Sequence, residues 1–192
     1  MSQINIYSQN VPIPVDKFDR LYHILEYSFP ETERGNYRFH RNEFSRKNFR
    51  SMCFEPDGMP AAFLNYYELQ DISAVFVEHF ASEAELRGKG IGSALMNELK
   101  ARYSSMIVLE VEPPENELSE RRVRFYQRLG FTLNARDYFQ PSYYGNSEPL
   151  PLMLMSTVPL SGRDFSRTAE AIHREVYHIG KVAGANKGIC EN

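Results

Sequence analysis

One stretch constrains the fold more than any other. Ile72 to Ser82 reads as an extended run, Glu85 to Leu95 (Glu-Leu-Arg-Gly-Lys-Gly-Ile-Gly-Ser-Ala-Leu) as a glycine-rich loop opening a helix, and Met106 to Val111 as a buried, apolar strand. The helix between them, Ile91 to Tyr103, carries Ile91, Ala94, Leu95, Leu99 and Arg102 on one side. Strand, loop, helix and strand form a βαβ unit, whose two strands run parallel because the crossover returns the chain to the starting end of the sheet.

The residues before this unit predict a different pairing. Arg50 to Phe54 and Pro60 to Leu69 flank Pro56-Asp57-Gly58, in which Pro presets one dihedral and Gly accepts a positive one. With Ile72 to Ser82 they make an antiparallel meander. Upstream lie a short strand, Ile4 to Tyr7, and a helix from Pro14 to Phe29, with Phe18, Leu21, Tyr22 and Leu25 at helical spacing, Asp16 as cap and Pro30 as stop. A second helix is expected near residues 38–48. Downstream come a helix, Leu118 to Leu129, stopped by Gly130, and late strands at Phe131–Leu133 and Pro151–Met155. A last helix is marked by Phe165, Ala169, Ile172, Val176 and Ile179. Its four-and-three spacing is that of a coiled-coil seam, suited to packing on its own domain, to lidding a site, or to a homodimer. The expected division is a domain over 1–156 and, over 157–192, a C-terminal helix and loose tail.

Composition narrows the setting. Of 192 residues, 13 are Phe and 12 Tyr, too aromatic for a disordered chain. A formal net charge of −3 gives no general reason for nucleic-acid binding. No apolar run reaches the roughly 18 residues that would span a bilayer, and the first residues carry no basic-then-apolar leader, so no membrane partner is expected. Cys53 and Cys190 form no CxxC pair, which fits a reducing cytoplasm.

Chemistry concentrates in the glycine loop. Glycines bring backbone N–H groups close to a ligand, a helix start adds unpaired donors and a positive dipole end, and Arg87 and Lys89 add charge. This is a phosphate or pyrophosphate cradle. A P-loop would need Ser or Thr after Gly-Lys, where Gly90 stands. A GxGxxG fingerprint would end on Ser93 or Leu95, and it follows the first strand of a parallel fold rather than a meander.

The run Arg87-x-x-Gly90-x-Gly92, after a strand and before a helix, resembles the acetyl-CoA loop of the GCN5-related N-acetyltransferase (GNAT) family. A second signature agrees: Arg122 to Phe131, with Phe125-Tyr126-x-x-x-Gly130-Phe131, looks like that family's helix ending. As a fold the resemblance covers residues 1–156; the diagnostic motifs lie within 75–131. It implies a mixed α/β fold whose mostly antiparallel sheet splays between its fourth and fifth strands, flanked by helices. The C-terminal helix is an addition to that core. It implies acetyl-CoA as co-substrate and transfer of the acetyl group to a primary amine by direct attack in a ternary complex. Backbone groups of Phe80, Ala81 and Ser82 would meet the pantetheine arm. Residues Arg87, Gly88, Lys89, Gly90, Ile91, Gly92 and Ser93 would hold the pyrophosphate. Tyr126 matches the tyrosine that protonates the departing thiolate. Many members carry Asn where this chain has Ser119, whose hydroxyl can bond the arm or cap the helix.

Amine acetylation also needs a base. Strict alternation puts Phe76, Glu78, Phe80 and Ser82 on one face and Val75, Val77, His79 and Ala81 on the other. Glu78 lies where relatives can carry a base, and flanking Phe76 and Phe80 would raise its pKa. Equally, it could pair with an Arg across the sheet. His79 is expected to face the other way, beneath a helix, as a core or capped histidine. His173 and His178 are five apart, and with no clustered ligands no metal site is expected. Glu110, Glu112, Glu115, Glu117 and Glu120 form an acidic run that reads as a solvated loop or as an attractor for a cationic amine. In the family the acceptor is walled by the first helices and the last inter-strand loop. That maps to Phe29, Glu31, Glu33, Tyr37 and Tyr138, with Tyr138 to Tyr144 as an aromatic wall. A small-molecule acceptor is favoured; a peptide or protein acceptor, or a catalytically silent acyl-CoA sensor, are the alternatives.

Overall fold

A computed structural model describes residues 3–144 and 148–179. The tail from 180 onward, with Cys190, lies outside the described residues. Seven strands form one sheet in the order β1-β2-β3-β4-β5-β7-β6. They are β1 (Ile4–Ser8), β2 (Phe49–Phe54), β3 (Ala62–Leu69), β4 (Ala74–Ser82), β5 (Met106–Val111), β6 (Thr132–Gln140) and β7 (Leu150–Ser156). The meander pairs antiparallel through β1, β2, β3 and β4, and β4 with β5 is the parallel pair that the βαβ reading requires.

Among the described residues, five α-helices cover the sheet: α1 (Val15–Ser28), α2 (Tyr37–Glu43), α3 (Ile91–Arg102), α4 (Glu117–Arg128) and α5 (Gly162–Glu175). On one face Phe18, Leu21, Leu25, Phe63, Phe76, Phe165 and Ile172 join α1 and α5 to the sheet. On the other Leu64, Val75, Val77, Leu95, Leu99 and Val123 join α3 and α4. Each fully buried side chain of this kind contributes about 1.5–3 kcal/mol of transfer free energy, and together they fix the sheet between its helical layers. No helix among the described residues is long and apolar enough to cross a membrane.

Several expectations change. The α2 helix stops at Glu43, short of residue 48, while α1 has no side-chain cap and carries Asp16 in its first turn, beside the dipole's positive end. Asn116, not Ser119, caps α4. Strand β6 runs on to Gln140, because Ala135, Arg136 and Asp137 bulge out and Tyr138 resumes pairing with Leu152. The stripe packs on its own domain, one of the uses the spacing allowed: Phe165 and Ile172 of α5 and Val176 just after it lie in the first core.

The most consequential change is in β4. Asn65 pairs with His79 and Tyr66 with Val77, so Glu78 has no partner on β3 and forms a bulge. Alternation fails there. His79 does not face away from Glu78 beneath a helix, and Phe80 packs with Val75 and Val77 rather than with Phe76.

Candidate active site

Strand β4 meets β5 only from Ala74 to Val77, opposite Met106 to Leu109, and beyond that the two strands separate. Its other edge stays paired to β3 through Ser82. Phe80, Ala81 and Ser82 therefore present one strand edge to an open wedge. At the wedge's wide end the chain passes through exposed Arg87 to Gly90 into α3. Gly88 and Gly90 hold φ of +77° and +82°, a left-handed backbone that favours glycine. Gly92 serves close approach instead: a Cβ there would lie 3.0 Å from the ring tip of Phe80 and 3.5 Å from that of Phe125. Gly90, the N-cap, makes no side-chain cap bond, so the first N–H groups of α3 stay open toward the wedge. These features fit a pyrophosphate with its cationic neighbours Arg87 and Lys89.

Tyr126 lies on the inner side of α4, 8% exposed, with its ring against Phe125 and Phe131. Burial pushes its hydroxyl up to about 12, with Arg122 pulling slightly the other way, so the group stays protonated at neutral pH. Ser119 does not project a free hydroxyl. Its Oγ accepts from Asn116 N–H at 3.2 Å and donates to Asn116 C=O at 3.0 Å, closing a capping box.

At the narrow end of the wedge sits a polar cluster that the bulge creates. The Glu78 side chain is 1% exposed. Its Oε1 accepts from the Tyr143 hydroxyl at 2.9 Å, and its Oε2 lies 3.2 Å from His79 Nδ1, an ion-pair distance off the line of a good hydrogen bond. No arginine takes part. His79 Nε2 donates to the Glu33 carbonyl at 3.0 Å. Burial pushes the Glu78 pKa up, but the His79 charge at 3.2 Å, His40 and the Tyr143 hydroxyl outweigh it, and the carboxyl titrates well below the usual range. Burial likewise works against the charged form of His79, and the Glu78 carboxylate overcomes it, raising His79. The expected raised pKa of Glu78 is thus reversed, because a cation rather than phenyl rings faces it.

The polar atoms of His40, Glu78 and His79 converge within 4.8 Å of one another. This is a cluster of ligand types that the spacing of the chain hides, since His40 comes from α2. It does not match a metal set as it stands. His40 Nε2 accepts the Gly35 N–H at 3.0 Å, which puts the neutral ring's proton on Nδ1, whereas a metal-bound histidine donates through its second nitrogen. Burial holds His40 down at about 3, so it is neutral.

Across the wedge, Glu110 projects from β5. Tyr138 donates to its Oε1, and Tyr177, just beyond α5, donates to its Oε2 at 2.8 Å. Burial pushes this carboxyl up to about 7, against the pull of the two hydroxyls. A cavity of about 50 Å³ lies between the two glutamates, lined by Phe29, Glu33, Glu78, Glu110, Tyr143 and Tyr177 among others. Phe29 stacks edge-on to His79 at 4.7 Å, and burial raises the Glu33 carboxyl. Tyr138 stands one layer back: it is 6% exposed and holds Glu110 rather than walling the cavity. Tyr143 also lines a larger neighbouring cavity, about 360 Å³, with Glu31, Arg34, Asn36 and Tyr144. Arg122 pairs with Glu112 at 2.7 Å and Arg124 with Glu120 at 2.9 Å, so part of the acidic run is solvated as one reading expected, while Glu110 is drawn into the cavity.

His40 and Tyr177 are the site residues that sequence reasoning missed, and Glu110 was read only as one member of an acidic run; a sharper signal for it is its place as the lone charge in Met-Ile-Val-Leu-Glu-Val. Tyr177 lay in a helix read as peripheral, and nothing local marked it.

Known proteins share this fold. The acetyltransferase (GNAT) family model matches residues 18–131. A GNAT-family acetyltransferase structure from Bacteroides thetaiotaomicron superposes with a TM-score of 0.81 at 31% identity, covering 92% of this chain and 98% of that one. YjbC of Bacillus subtilis (strain 168), assigned by name to the acetyltransferases, is 39% identical over 61 residues, 31% of each chain. The fold also matches an aminoglycoside 6'-N-acetyltransferase complexed with coenzyme A, with a TM-score of 0.61 at 18% identity over 82% of this chain and 98% of that one. With a family model matching more than half of its residues and a full-length structural relative above 30% identity, the chain belongs to the GNAT family of acetyl-CoA-dependent acetyltransferases.

Proposed function

We propose that the protein moves the acetyl group of acetyl-CoA onto a primary amine of a small molecule, by direct attack within a ternary complex. The observation that carries this reading is the wedge itself. One end offers a glycine cradle with Arg87 and Lys89, the other a carboxylate-lined cavity, and Tyr126 packs against Phe125, whose ring tip lies beside Gly92 of that cradle. In this reading the strand edge at Phe80, Ala81 and Ser82 aligns the pantetheine arm, and Arg87 to Ser93 take the pyrophosphate. Tyr126, protonated at working pH, gives its proton to the leaving sulfur. Ser119 shapes the start of α4 rather than touching the arm. Direct attack is supported by Cys53, which is fully buried and pushed by that burial up to about 12, so it offers no thiolate for a covalent intermediate.

A small acceptor is favoured by the way residues 141–144 close over the first helices. Tyr144 accepts the Asn36 N–H, and Tyr143 packs edge-on to Phe39 at 5.2 Å. These contacts wall the 360 Å³ cavity where an extended peptide would need a groove. Phe29 and Glu33 line the smaller adjoining cavity together with Glu78 and Glu110, whose carboxylates suit an ammonium group. The enzyme is read as cytoplasmic, working without a nucleic-acid or membrane partner. The test is thiol release from acetyl-CoA across a panel of small primary amines and of peptides with free N-termini or lysines. Turnover with small amines at kcat/KM at least tenfold above any peptide is expected. A preference for peptides overturns the acceptor class, and acetyl-CoA binding without release for every acceptor returns the protein to a sensor.

A further inference from the structure

We infer that Glu110, and not Glu78, is the catalytic group that takes the proton from the acceptor amine, with Tyr138 and Tyr177 as positioning residues that hold its carboxylate at the edge of the wedge. This rests on the acetyl-transfer reading and names a residue within it.

Three observations on geometry carry it. First, each carboxylate oxygen of Glu110 receives one tyrosine hydroxyl, from β6 and from the chain beyond α5. Each oxygen keeps a further lone pair, so the group is fixed in direction without being saturated. Second, Glu110 lines the cavity at the point where β5 leaves β4, the place an amine must reach to approach a thioester lying along the strand edge. Third, Glu78 lines the same cavity with a side chain only 1% exposed, and its oxygens are already taken by the Tyr143 and Tyr67 hydroxyls and the His79 ring. A carboxylate already neutralised by a histidine gains little by taking another proton.

The groups facing Glu110 are Glu78 and His79 from β4, Tyr143 from the segment after β6, Tyr138 and Tyr177, with Glu33, Glu112 and Arg122 around the same cavity. His79 and Glu78 largely cancel each other's charge, and the tyrosines are neutral. Glu110 therefore senses burial more than any cation, which places its titration at about 7, where a base serves an alkylammonium.

The step balances. Glu110 removes one proton from the ammonium, and the freed lone pair forms the N–C bond to the thioester carbonyl. The C–S bond breaks with its electron pair going to sulfur, which takes the Tyr126 proton. Tyr126 is restored by the second proton of the reacting nitrogen, and Glu110 releases its proton to solvent through the cavity. One proton appears per acetyl group transferred.

The experiment compares wild type, Glu110→Gln and Glu78→Gln with a small alkylamine found active in the panel, reading kcat/KM against pH and, separately, acetyl-CoA affinity. Glu110→Gln is expected to lower kcat/KM by ~10²–10³-fold while acetyl-CoA affinity stays within twofold, and to abolish the limb near pH 7. The loss should shrink at least tenfold with a hydroxylamine-type acceptor, already neutral at pH 7. Tyr177→Phe, retaining the carboxylate, should keep the limb. An unchanged rate and limb in Glu110→Gln, or a limb that vanishes in Glu78→Gln instead, overturns the inference while leaving acetyl transfer intact. A wild type that releases no thiol with any amine overturns the acceptor reading and this assignment together.

Discussion

Glu78 and Glu110 stand on the neighbouring strands β4 and β5, on opposite sides of one small cavity, and both are withdrawn from water, yet they titrate in opposite directions. Burial acts on both in the same sense, disfavouring the charged form. The difference lies in what each oxygen meets. Glu78 meets a histidine ring that becomes a cation, at 3.2 Å, and a charge at that distance in a dry site outweighs desolvation. Glu110 meets two hydroxyl dipoles, which stabilise the anion by less than burial destabilises it. One carboxylate becomes a fixed structural charge and the other a group able to gain and lose a proton near neutrality. Depth in the protein did not decide this; the nearest counter-charge did.

The comparison fails most visibly if Glu110→Gln does not slow the enzyme by the hundredfold or more argued above. The next largest effect concerns Glu78. Glu78→Gln leaves His79 with no anion in a site that is 2% exposed, and breaking a buried pair in this way should cost ~2–4 kcal/mol of unfolding free energy, measured by urea denaturation at pH 5.5. The pH window follows from the two directions. The lowered Glu78 contributes stability present above the ordinary carboxylate value of 4.5 and lost on acidification below it. The raised His79 contributes stability present below the ordinary 6.5 and lost as pH rises beyond it. The wild-type advantage over Glu78→Gln should therefore peak between 4.5 and 6.5. A flat difference from pH 4 to 9 would mean that the pair is not ionised.

Glu110→Gln should move stability the other way. A carboxyl raised from 4.5 to about 7 favours the folded state at low pH and loses that advantage as pH climbs through 7. Above pH 8 the wild type holds a poorly solvated anion that Gln removes. The variant should then be more stable by roughly 1–2 kcal/mol, a figure reduced from the full linkage value because cavity water reaches the group. Below pH 4 the gain should vanish. A variant destabilised at every pH would show that the carboxylate is held as firmly as Glu78.

How far the chain's own order foretold this cavity depends on the range of its contacts. The meander, the βαβ unit and the glycine cradle were legible because each is specified within a few residues: Pro56-Asp57-Gly58 sets a turn, and Gly88, Gly90 and Gly92 set a loop and a close approach. The place of Tyr126 in α4 was legible from its motif. The bulge was not. Nothing local in Val77-Glu78-His79-Phe80 distinguishes two residues sharing a side from strict alternation, and the mismatch exists only against Asn65 and Tyr66 of β3. The partners of the two glutamates were hidden for the same reason. Tyr143 reaches Glu78 across 65 residues and Tyr177 reaches Glu110 across 67, so no spacing rule connects them. Tyr138 was noticed as an aromatic wall, but its role turns on a hydroxyl aimed at a strand 28 residues earlier.

The finest test isolates one of the two dipoles on Glu110. Tyr177→Phe removes the hydroxyl that donates to Oε2 at 2.8 Å and keeps the ring, so packing against Tyr143, 5.4 Å between centroids, should persist. The lost donor had favoured the anion. Without it the carboxylate is less stable relative to its protonated form, and its pKa should rise further. The bond is charge-assisted, and the part of it lost when the carboxylate is protonated, about 0.5–1.5 kcal/mol, is equivalent to a shift of ~0.4–1 pH unit toward alkali in the limb of kcat/KM. The rate on the alkaline plateau should hold within a few-fold, because the remaining hydroxyl of Tyr138 still aims the group. The matching substitution beside Glu78, Tyr143→Phe, should leave that limb within ~0.2 units, since its donor serves the carboxylate that does not exchange protons. If Tyr143→Phe moves the limb and Tyr177→Phe does not, the roles of the two glutamates are exchanged.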